Sequence, residues 1–93
     1  MGREVVDPAE LKIEQIYIVA GRGPMKLIEI SEKMGGSFKM QTPGGRTYWA
    51  SAEQIYREAD RNYLETHADQ LQAAFSGKVH ESVRTIKRWA ESA

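Results

Sequence analysis

A chain of 93 residues is the length of one small domain and buries only about 60–65% of its unfolded surface, so it needs a well-formed core. Its 13 basic and 13 acidic residues cancel, which removes bulk charge as a reason to expect nucleic acid, a membrane surface or a polyanion as partner. Hydrophobic residues at 41% and charged residues at 28% exclude a disordered chain, and the lack of cysteine excludes disulfides and thiolate metal sites and favours a reducing cytoplasm.

Asp7-Pro8-Ala9-Glu10 reads as a single helical turn, with Asp as N-cap and Pro at the first helical position. The first strand is Gln15 to Ala20, where Ile16 and Ile18 alternate with Tyr17 and Val19, so both faces are apolar and the strand is central. Gly21-Arg22-Gly23-Pro24 breaks it. That stretch lacks the glycine and lysine spacing of a phosphate loop and reads as a strand connection. The second strand is Lys26 to Ser31, with Ile28 and Ile30 inward and Glu29 outward. A turn at 32–36 leads into a third strand, Ser37 to Thr42, with Phe38 and Met40 inward. Pro43-Gly44-Gly45 reads as a hairpin, and the fourth strand is Arg46 to Ala50. Four short strands separated by glycine-bearing turns predict an antiparallel meander.

The period changes after Ala50. Ser51 with Gln54 forms a capping-box pattern, and Ile55, Ala59 and Tyr63 recur at helical spacing, followed by Leu64, Leu71 and Phe75. This predicts helix over 52–76, as one element or as two with a fresh start at Asp60 or Thr66. Gly77 is the expected stop. Val79, Val83, Ile86 and Ala90, with Trp89 beside them, mark one face of a last helix. Residues 51–69 carry five carboxylates against two arginines, whereas 78–93 carry four cations against two glutamates. No apolar run approaches the ~20 residues that cross a bilayer, and Met1-Gly2-Arg3-Glu4 leads into no secretory h-region. The predicted fold is α+β: one domain, 1–93, with a four- or five-strand meander over 10–50 and two or three α-helices over 51–93 packed on it.

The run from Leu11-Lys12-Ile13-Glu14-Gln15-Ile16-Tyr17-Ile18 to Tyr48-Trp49-Ala50-Ser51-Ala52-Glu53-Gln54-Ile55 resembles a small SH3-like or KOW-type barrel over residues 10–56. The resemblance implies binding of peptides, modified tails, nucleic acid or other proteins. The acidic loop and paired tryptophans of peptide-binding SH3 domains are not apparent, which argues against proline-rich ligands. Separately, Leu71 to Trp89 is similar to a helix-turn-helix through Ala73, Gly77, Val83 and Ile86. In that family the second helix enters the major groove, which implies Ser82, Arg84, Thr85, Lys87 and Arg88 as contacts. Lys78 and Gln72 stand where that motif usually buries apolar residues.

No catalytic or metal-ligand spacing links His67 or His80 to a partner, so neither an enzyme nor a metal or cofactor is expected. If Ile16, Ile18, Phe38, Met40 and Tyr48 point inward, Tyr17, Lys39 and Trp49 share the opposite face, rimmed by Arg22, Lys26 and Arg46. That face is either covered by the helices or open; if open, Tyr, Trp and Arg are the residues that anchor protein interfaces, and the pair would equally suit stacking on a single-stranded nucleic acid. The predicted protein-binding residues are therefore Tyr17, Arg22, Lys39, Arg46 and Trp49. The expected function is a non-enzymatic cytoplasmic interaction protein, an adaptor or inhibitor of the kind phages and mobile elements encode. The alternative is a DNA-binding regulator that uses the last helix.

Overall fold

The structure is a computed structural model that describes residues 10–31, 37–76 and 80–93. It is α+β, and the chain divides into two compact units, Met1–Glu58 and Ala59–Ala93. The predicted opening turn at Asp7-Pro8, the 32–36 turn, the stop at Gly77 and Val79 of the last helix's expected face lie outside the described residues.

The first unit contains strands β1 (Ile16–Val19), β2 (Gly23–Ser31), β3 (Ser37–Gln41), β4 (Thr47–Ala50) and β5 (Ile55–Glu58), with a 3-10 turn at Ala52–Gln54 before β5. They form one antiparallel sheet in the order β4-β3-β2-β1-β5. The first four strands are a meander, and the fifth returns to the free edge of β1.

The β1–β2 connection is a tight turn in which the Arg22 N–H donates to the Val19 carbonyl and Gly21 takes φ +70, a conformation glycine adopts without a Cβ penalty. The break is shorter than predicted, because Gly23 and Pro24 already belong to β2. Leu27 N–H donates to the Gln15 carbonyl, which makes 15·27 a hydrogen-bonded pair. Bonded pairs alternate along an antiparallel ladder, so Ile18·Pro24 is a non-bonded pair, the one place where a missing N–H costs nothing.

The core joins Tyr17 and Val19 of β1, Met25 and Leu27 of β2, Phe38 and Met40 of β3, Ala50 of β4 and Ile55 of β5, with Leu11 alongside. Met25, Leu27, Met40 and Ile55 are fully buried, and each contributes about 1.5–3 kcal/mol of hydrophobic stabilisation. Phe38, Met40 and Tyr48 lie on the predicted side, but β1 is turned over. Tyr17 and Val19 join the core cluster, whereas Ile16, though buried at 8% exposure, and the half-buried Ile18 lie outside that cluster. Both faces of β1 are apolar, so its pattern alone carries no parity; pairing of Tyr17 with Met25 sets it. In β2 the register shifts between Leu27 and Glu29, leaving Ile28 as the extra residue. Leu27 therefore faces inward opposite Met40, and Ile30 rejoins that face opposite Phe38, yet remains 39% exposed.

The predicted helix from Ser51 does not form. The Gln54 side-chain oxygen accepts from the Ser51 N–H at 3.0 Å, but the helical start lasts one turn. Ile55 then pairs with Val19 and Glu58 with Tyr17, while the Ala20 N–H donates to the Gln54 carbonyl. Pairing satisfies the open backbone of β1 and buries Ile55 completely, which outweighs a weak helical preference.

The second unit holds α1 (Arg61–Ala74) and α2 (Glu81–Ser92), the two α-helices among the described residues. Asp60 caps α1, its carboxylate accepting from the Tyr63 N–H at 2.8 Å, as one predicted fresh start required. The helices pack on each other. Leu64 and Ala68 of α1 and Val83, Ile86, Trp89 and Ala90 of α2 are buried, and the last four match the predicted face. In the connection, the Phe75 and His80 rings stack at 4.3 Å, and His80 caps α2 by accepting from the Ser82 N–H.

The β3–β4 hairpin gives a backbone test. Gly45 has φ +97 with nothing within 4 Å of an added Cβ, so Gly45→Ala acts through backbone strain alone. It should lower the unfolding free energy by about 1 kcal/mol. Gly44, which is not among the positive-φ glycines, should tolerate alanine to within about 0.5 kcal/mol in the same urea titration.

Candidate functional site

The hairpin that carries Trp49 has a three-residue loop. Thr42 N–H donates to the Arg46 carbonyl at 2.7 Å, Gly45 N–H donates to the Thr42 carbonyl at 2.9 Å, and the Thr42 hydroxyl accepts from the Arg46 N–H at 3.0 Å. With Gly45 at positive φ, this is the glycine-bulge hairpin that Pro43-Gly44-Gly45 favours. Thr42·Arg46 is thereby a hydrogen-bonded pair, so Tyr48, opposite Met40, and Ala50, opposite Phe38, are bonded as well. Thr47, opposite Gln41, and Trp49, opposite Lys39, occupy non-bonded positions. Their backbone N–H and C=O groups point away from β3, and β4 is the last strand of the sheet on that side.

The same alternation sorts the side chains. Tyr48 is half-buried against the core, and Trp49 stands on the other face, 43% exposed. The Lys39 ammonium reaches over the indole, 5.9 Å from its centroid, within cation–π range. Glu29 on β2 is the next residue in that cross-strand row. Arg46 is exposed where the chain enters β4. Among the described residues, neither Lys39 nor Arg46 has a carboxylate at ion-pair distance.

Lys39 and Trp49 are thus brought together, with Arg46 three residues away along the chain. Arg22 is not part of that group: its guanidinium stacks 3.9 Å from the ring centroid of Tyr48, whose side chain belongs to the core face. Tyr17, expected beside Trp49, is only 3% exposed and sits in the core, its hydroxyl accepting from the Lys12 N–H at 2.9 Å. The reversed parity of β1 removes it from the surface. The open backbone edge of β4 was missed in the sequence; the Pro-Gly-Gly loop length was the signal that fixes its phase.

In the helical unit, Arg84, Lys87 and Arg88 are exposed at i, i+3 and i+4 and so share one side of α2, with Thr85 accepting from the Arg88 guanidinium at 3.2 Å. Ser82 is half-buried at the start of the helix. A groove of about 260 Å³ between the two helices has Ala68 and Ala90 among its lining residues and is edged by Arg61, Glu65, Asp69, Lys87 and Glu91. Lys87 thus lines the same groove as three carboxylates, and Arg61 pairs with Glu65 at 3.8 Å. Among the described residues, no group of three or more His, Cys, Asp or Glu side chains is placed to hold a metal ion. No helix among them is long and apolar enough to cross a membrane.

Two measurements check this geometry. Amide exchange should be fast at Thr47 and Trp49 and slower at Tyr48 and Ala50, whose N–H groups face β3. His67 stacks on Tyr63 at 5.8 Å, and burial lowers its imidazole below the ordinary value of 6.5. The folded state then favours the neutral ring, so its contribution is complete above pH 6.5 and is lost as pH falls through the lower folded value. From about pH 7.5 to about pH 5.5 the urea midpoint should fall further in the native chain than in His67→Phe.

No known protein family, curated protein or solved structure matches the chain, so its functional reading rests on these residues.

Proposed function

We propose that the chain is a non-enzymatic protein-interaction module, an adaptor or inhibitor acting in a reducing compartment, whose partner contacts the Trp49–Lys39 face of the sheet. One observation carries the reading: a tryptophan left 43% exposed on the edge strand β4, with the Lys39 ammonium of the neighbouring strand over its ring. Large aromatic residues next to cations are the side chains whose burial contributes most at protein interfaces. The meander, the 3-10 turn and the return of β5 onto β1 support an SH3-like arrangement of the first unit. Of the five residues predicted from the sequence, Trp49, Lys39 and Arg46 remain as the proposed contact set.

The alternative places duplex DNA on the Arg84, Lys87 and Arg88 side of α2. The carboxylates of Glu65, Asp69 and Glu91 line the same groove as Lys87 and oppose a phosphate backbone there, so the sheet surface is preferred.

The test is affinity capture with the intact chain and with Trp49→Ala, followed by calorimetry on the partner identified. Trp49→Ala should keep the native circular dichroism and weaken binding by about thirtyfold or more, with Lys39→Ala having a smaller effect. Duplex binding with a steep salt slope, reduced by both Arg84→Ala and Lys87→Ala, would instead assign function to α2.

A further inference from the structure

We propose that the partner docks by strand addition: an extended segment bearing acidic side chains pairs with the open edge of β4. This rests on the protein-interaction reading and specifies how the same surface is used.

The backbone makes the case first. Thr47 and Trp49 direct two N–H and two C=O groups away from β3, and among the described residues no hydrogen bond satisfies them. Edge strands are usually protected by charge, proline or a bulge. The opposite edge has two of these devices, since β5 carries Arg57 and Glu58 and its register with β1 is irregular. β4 has none: Thr47-Tyr48-Trp49-Ala50 contains no charge and no proline, and its register with β3 is unbroken. An added strand would lie about 4.8 Å away and place alternate side chains beside Trp49.

Charge then selects the occupant. Arg46 stands at the start of the strand and Lys39, with Glu29 opposite it on the far side of β3, leans over Trp49; among the described residues neither cation has a carboxylate at ion-pair distance. Two copies paired antiparallel along β4 would gather two Arg46 and two Lys39 at one four-residue seam, with no carboxylate in β3 or β4 to offset them. A segment with Asp or Glu beside a short run of β-branched or aromatic residues satisfies both the backbone and the cations.

The experiment selects a displayed library of random eight-residue peptides on the intact chain. The selected peptides should be acidic, rich in β-formers and free of proline in the paired run. On binding, the strongest of them should slow amide exchange at Thr47 and Trp49. Thr47→Pro removes an N–H that β3 does not use, so it should leave the urea midpoint near native and weaken that peptide by about tenfold or more. Arg46→Glu should weaken it as well. Selection of basic or proline-rich peptides, unchanged exchange at Thr47 and Trp49, or a dimer along β4 in sedimentation overturns the proposal. If Thr47→Pro does not fold, the exchange measurement on the native chain decides alone. Binding lost in Trp49→Ala but kept in Thr47→Pro sinks strand addition and leaves the Trp49 surface standing. Binding kept in both sinks the two together.

Discussion

The bond from the Thr42 N–H to the Arg46 carbonyl sets the phase of everything beyond it in β4. Alternation along an antiparallel ladder is strict, so once this pair is bonded, Tyr48 turns to the core and Trp49 turns away. The backbone follows the same count, which is why Thr47 and Trp49 expose their amides at the edge. A slip of one residue would bury the indole and expose the phenol, exchanging the exposed face for a packing one. Gly45, the bulge residue at φ +97, holds that count in place.

Much of this architecture is legible in the residues. The Pro-Gly-Gly hairpin, the inward Phe38 and Met40, the Asp60 cap and the buried face of α2 all follow from local rules. Three features do not, each for a physical reason. β1 is apolar on both faces, so only its partner decides that Tyr17 is core. The extra residue at Ile28 re-phases β2, and nothing in a run of alternating apolar residues reveals it. β5 hides behind a real capping pair and helical spacing, because its strand character comes from the vacant edge of β1 rather than from its own sequence. The placement of the candidate residues was half-legible accordingly: Trp49 and Lys39 share an exposed face with Arg46 nearby, as expected, whereas Tyr17 lies in the core and Arg22 stacks on Tyr48.

The two units distribute their charge differently. Among the described residues of the sheet, Lys39 and Arg46 have no carboxylate at ion-pair distance, while in the helical pair Lys87 lines a groove shared with Glu65, Asp69 and Glu91. Net neutrality of the whole chain conceals this contrast. Local fields, which fall off within about 10 Å at moderate salt, therefore decide what each surface attracts, and bulk charge does not.

The brevity of β4 has a kinetic consequence. Four residues offer only two positions with outward-facing amides, too few for a long-lived complex. If β4 is the docking edge, so short a contact falls toward the fast end of residence times, which run from about milliseconds to days, and occupancy would follow local concentration. The same shortness denies other chains a template long enough to propagate a cross-β stack.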